Sequence, residues 1–126
     1  MIGIDIIKSS RMRDLIKKFP QKGLNKFLSE DEIKLVKSYQ TAAGFWAAKE
    51  AFSKAIKRGI GKDCSFKDIK IYKDENGAPN IALSKNIVQK FNILDVTLSI
   101  THDGEYAISV VNVKLKSTAT NKVKQF

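Results

Sequence analysis

Hydrophobic and polar positions alternate at the start of the chain. Ile2, Ile4 and Ile6 fall on one side and Gly3, Asp5 and Ile7 on the other, a period of two that predicts a strand over residues 1–7. The period then lengthens. Met12, Leu15, Ile16 and Phe19 keep the i, i+3, i+4, i+7 spacing of a helix that starts at Ser9 or Ser10 and stops at Pro20. Ser29 and Glu32 have the spacing of a capping box, which opens a second helix through Ile33, Val36 and Tyr39. A long central helix is expected from Thr41. In it Phe45, Ala48, Phe52, Ala55 and Ile56 form one stripe, with Trp46, Glu50, Ser53, Lys54 and Lys57 across from it. Gly59 stands where a left-handed cap is expected.

Further on, Ile69 and Ile71 alternate with Lys70 and Tyr72, Asn76-Gly77 marks a turn, and Ile81 to Leu83 returns as a second strand. Pro79 suits only an edge or a strand start. Ser84 caps a short helix with Ile87, Val88 and Phe91 inward, ending near Asn92. Leu94, Val96, Leu98, Ile100 and His102 then alternate into Asp103-Gly104, a two-residue hairpin signal that leads into a strand from Tyr106 to Leu115. Helices interposed among antiparallel strands, without repeat or linker, predict one α+β domain over residues 1–115, an antiparallel sheet packed against the long central helix. A polar, basic tail over residues 116–126 follows.

Composition narrows the class. At 126 residues and 43% apolar, the chain suits a single modest core, and no run approaches the roughly 20 apolar residues of a membrane span. The start lacks the basic and apolar regions of a signal peptide. The lone Cys64 excludes an internal disulfide and supplies no zinc cluster, so a cytoplasmic protein is expected.

Charge changes the picture more. With 23 basic against 13 acidic residues the formal charge is +10, which calls for an anionic partner: nucleic acid, anionic membrane, phosphorylated cofactor or acidic protein. Arg11, Arg13, Lys17 and Lys18 occupy the positions of the first helix that its apolar stripe leaves, relieved only by Asp14. A merely solvated face has the same pattern. A small basic nucleic-acid-binding domain fits the charge, but no platform of aromatics interleaved with Lys and Arg appears. A passive adaptor for an acidic partner fits it equally.

Candidate chemistry starts at Asp5. Aspartate is a poor strand former, and a carboxylate beside Gly3 in an apolar strand needs either a charged partner or a helix end to cap. Glu50 and Lys54 stand i, i+4 on the central helix, where a surface ion pair is the alternative to a reactive face. His102, the only histidine, ends a strand beside the tight turn, and across it would face Glu105, as a structural residue or as a tuned base.

Taken together, Gly3-Ile4-Asp5, Trp46-Ala47-Ala48-Lys49-Glu50-Ala51 with Lys54, Gly59-Ile60-Gly61, Asn76-Gly77-Ala78-Pro79 and Ser99-Ile100-Thr101-His102-Asp103 resemble, in order and spacing, the holo-acyl-carrier-protein synthases of fatty acid and lipid biosynthesis. The resemblance covers residues 1–115 and implies a 4'-phosphopantetheinyl transferase-like fold. It implies Mg²⁺-dependent transfer of 4'-phosphopantetheine from coenzyme A to a serine of apo acyl carrier protein, releasing adenosine 3',5'-bisphosphate. Asp5 and Glu50 match the family's metal-binding carboxylates, Glu50 also its base, and Lys54 its phosphate-neutralising lysine. Ser53, Lys54, Gly59, Ile60, Gly61, Pro79, Thr101 and His102 match positions that line the coenzyme site. Arg11 matches a carrier-protein contact, with Arg13, Lys17 and Lys18 beside it. A homotrimer with interface active sites is implied as well. One position departs: many relatives carry Arg where this chain has Phe45, so that phosphate contact does not carry over, and Lys57 or Arg58 stands near enough to the glycine loop to substitute.

Overall fold

A computed structural model describes residues 1–116 and 123–126, so residues 117–122 of the expected tail lie outside the described residues. The chain runs β1 (Ile2–Lys8), α1 (Ser9–Lys18), α2 (Lys22–Asn25), α3 (Glu30–Ile33), α4 (Tyr39–Ala55), a 3₁₀ turn (Phe66–Asp68), β2 (Ile69–Lys73), β3 (Pro79–Leu83), α5 (Lys85–Lys90), β4 (Ile93–Asp103) and β5 (Tyr106–Leu115). The expected α+β class is observed. A three-stranded antiparallel sheet has the order β1-β5-β4, and β2 and β3 form a separate hairpin.

Element ends depart from the sequence reading where local chemistry decides them. Ser9 lies inside α1 rather than capping it, and the cap position, Lys8, offers no side-chain bond. The capping box of Ser29 and Glu32 forms, but α3 is a single turn. The chain then breaks so that Ser38 can cap α4 by accepting from Thr41 N at 3.4 Å, which moves the central helix start to Tyr39. At its far end Lys57, not Gly59, first turns left-handed, at φ 61°. Arg58 N and Gly59 N then both donate to Ser53 O, which closes the helix before the glycine loop. At the last hairpin, Asp103 pairs with Tyr106, so the turn is Gly104-Glu105 and His102 faces Ala107 instead of Glu105. A register shift between Ile93 and Asp95 expels Leu94 to the surface, 55% exposed.

Helix α4 lies against the inner face of the sheet, and two glycines set how closely. A Cβ on Gly3 would overlap the Ala51 carbonyl oxygen and lie 2.6 Å from Ala55 N, so only glycine lets the C-terminal half of α4 rest on β1. At the other end a Cβ on Gly44 would meet Ile100 Cγ2 at 3.0 Å and His102 Nε2 at 3.2 Å, over β4. Ser109 Oγ, between them on β5, donates to Gly44 O at 3.1 Å. The helix therefore crosses the sheet from one edge strand to the other.

Burial surrounds α4 more completely than an amphipathic stripe implies. Lys49 falls on the same stripe as Phe45 and Phe52, is 1% exposed, and donates to Glu32 Oε1 at 2.9 Å, Phe27 O at 2.7 Å and Phe66 O at 3.2 Å. Glu32 Oε2 in turn accepts from Ile71 N at 2.9 Å. This buried, fully bonded pair ties α4 to α3, the 3₁₀ turn and β2. Burial pushes the Lys49 ammonium below its ordinary pKa, and the bond to Glu32 opposes that shift. Phe27 packs edge-on to both Trp46 and Phe66 beside it, with Phe27 and Trp46 centroids 5.1 Å apart.

The outer face of the sheet is apolar. Ile2, Ile4 and Ile6 are 72%, 58% and 57% exposed, and their neighbours across the ladder include Ile108 and Val110, the latter 38% exposed. The residues of β1 that face the core are Gly3, Asp5 and Ile7.

Candidate active site

The close seat of α4 on β1 brings three charged groups together at one sheet edge. Lys54 Nζ donates to Asp5 Oδ1 at 2.8 Å and lies 3.3 Å from Ile4 O. Asp5 keeps only 14% of its side chain exposed, whereas Lys54 keeps 52%. The i, i+4 pair of Glu50 with Lys54 is absent from the ion pairs of the described residues; Lys54 turns to β1 instead. Glu50, one turn earlier on α4, is half-buried, and burial raises its pKa above the ordinary carboxylate value. The like charge of Asp5 raises it further, while Lys54 and Arg11 oppose the shift.

These groups meet the requirements of a hard divalent cation. Two carboxylates lie close enough for the charge of Asp5 to be felt at Glu50, and their mutual repulsion is the condition that such a cation relieves. Mg²⁺ sites commonly use one or two protein carboxylates, with phosphate and water completing an octahedral shell at about 2.0–2.1 Å. Among the described residues no group of three or more His, Cys, Asp or Glu could hold a metal ion, so Asp5 and Glu50 are the two carboxylates this edge can offer to a cation.

Other candidates separate into three places. Ser53 is fully buried, and its Oγ donates to Glu50 O at 2.7 Å, so its hydroxyl braces the helix behind Glu50 and is closed to a ligand from outside. Gly59, Ile60 and Gly61 follow α4 on the same side, with open space above both glycines. Pro79, Thr101 and His102 do not join Asp5 and Glu50. They lie on β3 and β4, with β4 two strand spacings, roughly 10 Å, from β1. His102 lies under Gly44, whereas Thr101 pairs with Ile108 on the outer face. His102 Nε2 sits 3.0 Å from Gln40 O, so the histidine serves the start of α4 and not the turn. Arg58 lies over the Phe91 ring at 5.6 Å, and the cation over Phe45 is Lys73, at 6.0 Å from the ring centroid. Lys73 carries no signal in the pattern, and Glu32, marked there as a capping-box residue, gives no sign of its long-range bond to Lys49. A lysine on the Phe45–Phe52 stripe is the signal that marks Lys49.

A hollow of about 310 Å³ beside the Lys49–Glu32 pair, lined also by Phe27, Phe66 and the lysines Lys26, Lys67 and Lys70, contains a single carboxylate, Glu32, which is already bonded to Lys49. Reactive charge gathers at the β1 edge.

A sheet-and-helix domain with paired carboxylates and a lysine beside an open loop is the arrangement of a phosphoryl-group transferase. Residues 1–111 match the model of the 4'-phosphopantetheinyl transferase superfamily. A holo-[acyl-carrier-protein] synthase of Sulfurimonas denitrificans is 61% identical over 123 residues, 98% of this chain and 100% of the relative. The holo-[acyl-carrier-protein] synthase of Helicobacter pylori, solved in complex with coenzyme A, superposes with a TM-score of 0.88 at 49% identity, over 90% of this chain and 100% of that one. That of Bacillus anthracis, in complex with CoA (3',5'-ADP), gives 0.75 at 36% identity, over 91% and 96%. The chain belongs to the 4'-phosphopantetheinyl transferase superfamily and, within it, to the holo-[acyl-carrier-protein] synthases.

Proposed function

We propose that the protein transfers 4'-phosphopantetheine from coenzyme A to a serine hydroxyl of apo acyl carrier protein, releasing adenosine 3',5'-bisphosphate. The observation that carries this reading is the meeting of Asp5, Glu50 and Lys54, made possible by the missing side chain of Gly3. The coenzyme complexes of the Helicobacter and Bacillus relatives support it. Residues 1–115 form the catalytic domain in this reading.

In this reading Asp5 and Glu50 would hold Mg²⁺, which would supply charge neutralisation at the pyrophosphate. Glu50 accepts the proton of the attacking serine, a role suited to a carboxyl whose burial has raised its proton affinity. Lys54, whose ammonium reaches Asp5 yet stays half exposed, faces the phosphate charge that develops as the leaving group departs. The exposed loop of Gly59, Ile60 and Gly61 lets coenzyme backbone approach without steric conflict. Ser53 contributes from behind by fixing the Glu50 backbone.

Arg11, Arg13, Lys17 and Lys18 are all exposed on α1, and the charge of Arg11 is felt at Glu50. That surface receives the acidic carrier protein and delivers its serine beside the base. Docking by charge of this kind speeds encounter and fixes orientation.

The active assembly is a homotrimer with sites between subunits. The apolar outer face of Ile2, Ile4, Ile6 and Val110 is what a subunit contact would cover. Pro79, Thr101 and His102 line the coenzyme of a neighbouring copy: Thr101 and His102 occupy the sheet edge opposite to Asp5 and Glu50, and Pro79 lies with His102 on one cavity from the separate hairpin. No helix among the described residues is long and apolar enough to cross a membrane, which suits a cytoplasmic enzyme. Incubation with apo acyl carrier protein, coenzyme A and Mg²⁺, followed by weighing the carrier, tests the reading: a gain of one phosphopantetheinyl group supports it, and an unchanged carrier refutes it.

A further inference from the structure

At the sheet edge opposite Asp5 and Glu50 lies a cavity of about 180 Å³, walled by Thr41, Phe45, Ile100 and His102, with Pro79 and Lys73 at its rim. Whole small-molecule ligands occupy pockets of roughly 300–1,000 Å³, so this one takes a single group of a larger ligand.

Its polar groups select an anion. Lys73 ends β2 with its ammonium over the Phe45 ring, and among the described residues no carboxylate comes within ion-pair distance of it. The adjacent Asp74 is committed to the turn: it accepts from Asn76 N and Ala78 N, each at 2.9 Å, and from Asn80 Nδ2 at 3.1 Å. His102 Nε2 bonds the Gln40 carbonyl, which can only accept, so Nε2 carries a hydrogen, is committed to α4, and leaves the anion to the other polar groups of the cavity. One uncompensated cation and a threonine hydroxyl, on apolar walls, suit a lone phosphate group.

We propose that Lys73 binds the ribose phosphomonoester of coenzyme A in this cavity and so sets the preference for coenzyme A over its 3'-dephospho form. The inference rests on the reading of the protein as a coenzyme A-dependent transferase. Coenzyme A carries two anionic groups. The pyrophosphate belongs to Asp5, Glu50 and Lys54, which leaves the phosphomonoester for the second cation. Phe45, being apolar, makes no bond to phosphate, and Lys73 supplies the charge from the neighbouring hairpin over that same ring.

Calorimetric titration with coenzyme A and with 3'-dephospho-coenzyme A tests it on the wild type, Lys73→Met, Lys73→Arg and, as a charge control on exposed α5, Lys85→Met. The wild type should favour coenzyme A by about tenfold, the size of one charge-assisted hydrogen bond. Lys73→Met should abolish most of that preference by weakening coenzyme A alone, while Lys73→Arg and Lys85→Met should retain it. A preference that survives Lys73→Met, or that Lys85→Met removes equally, overturns the assignment. A wild type that binds coenzyme A in neither assay nor titration refutes the transferase reading itself, and this inference with it.

Discussion

Glu50 and Asp5 stand at the centre of the residue scale. Asp5→Asn and Glu50→Gln should each reduce turnover by at least about 10²-fold, the contribution of a positioned base or its partner, with the fold intact by circular dichroism. Near-normal turnover of either variant at limiting Mg²⁺ would remove that residue from the site. In the metal-free protein, burial first and then the Asp5 charge hold the Glu50 carboxyl above its ordinary pKa. Asp5→Asn removes the second of these causes, so in the absence of Mg²⁺ the Glu50 carboxyl, followed by NMR, should titrate at lower pH in the variant than in the wild type; an unmoved titration would deny the coupling. Cys64 offers an independent check of packing. It is fully buried, and burial first, then the nearby Asp68 charge, raises its thiol from 9.0 to about 11. A raised folded pKa means the stability contribution is complete below pH 9.0 and is lost as pH rises toward about 11. Thiol labelling at pH 8 should therefore follow unfolding; rapid labelling of the native protein would contradict this burial. Glu50, on the polar side of α4, was marked only by the family resemblance, while Asp5, a carboxylate in an apolar strand, was legible from the pattern. The partner of Lys54 was not, because i, i+4 spacing suggests Glu50 and only the close seat of α4 on β1 substitutes Asp5.

Among elements, the contact of α4 with β1 decides whether a site exists. Gly3→Ala would force a side chain into the Ala51 carbonyl, so α4 must shift, with a stability loss of about 1–3 kcal/mol and a larger loss of activity than of fold. Full activity in Gly3→Ala would mean that the close approach is not required. Helix α1 acts separately. Arg11→Glu with Lys17→Glu should raise KM for the carrier protein strongly and that for coenzyme A little, with the difference shrinking as salt shortens the Debye length toward about 3 Å near 1 M. A coenzyme A defect with carrier binding unchanged would move α1 from partner recognition to cofactor binding. Strands and helices were readable from their periods, and the hairpin at Gly77 from Asn76-Gly77. Helix ends were less so. Helix α3 ends at Ile33 instead of running to Tyr39, and its Glu32 is held by Lys49, a long-range partner that no local spacing reveals.

The whole molecule turns an apolar face outward. Alternation told that Ile2, Ile4 and Ile6 share a side of β1, but alternation has no sign: only the packing of Gly3 and Asp5 under α4 shows that the isoleucines are the exposed set. Light scattering should find a trimer, and Ile4→Lys with Ile6→Lys should yield an inactive monomer; a fully active wild-type monomer would refute sites shared between subunits. The central claim, that the edge where α4 meets β1 performs phosphopantetheinyl transfer, is tested most directly by the mass of apo acyl carrier protein after incubation with coenzyme A and Mg²⁺, wild type beside Glu50→Gln. The account predicts a carrier heavier by one phosphopantetheinyl group with the wild type and an essentially unmodified carrier with the variant at the same time point. Equal modification by both, or by neither, would contradict it.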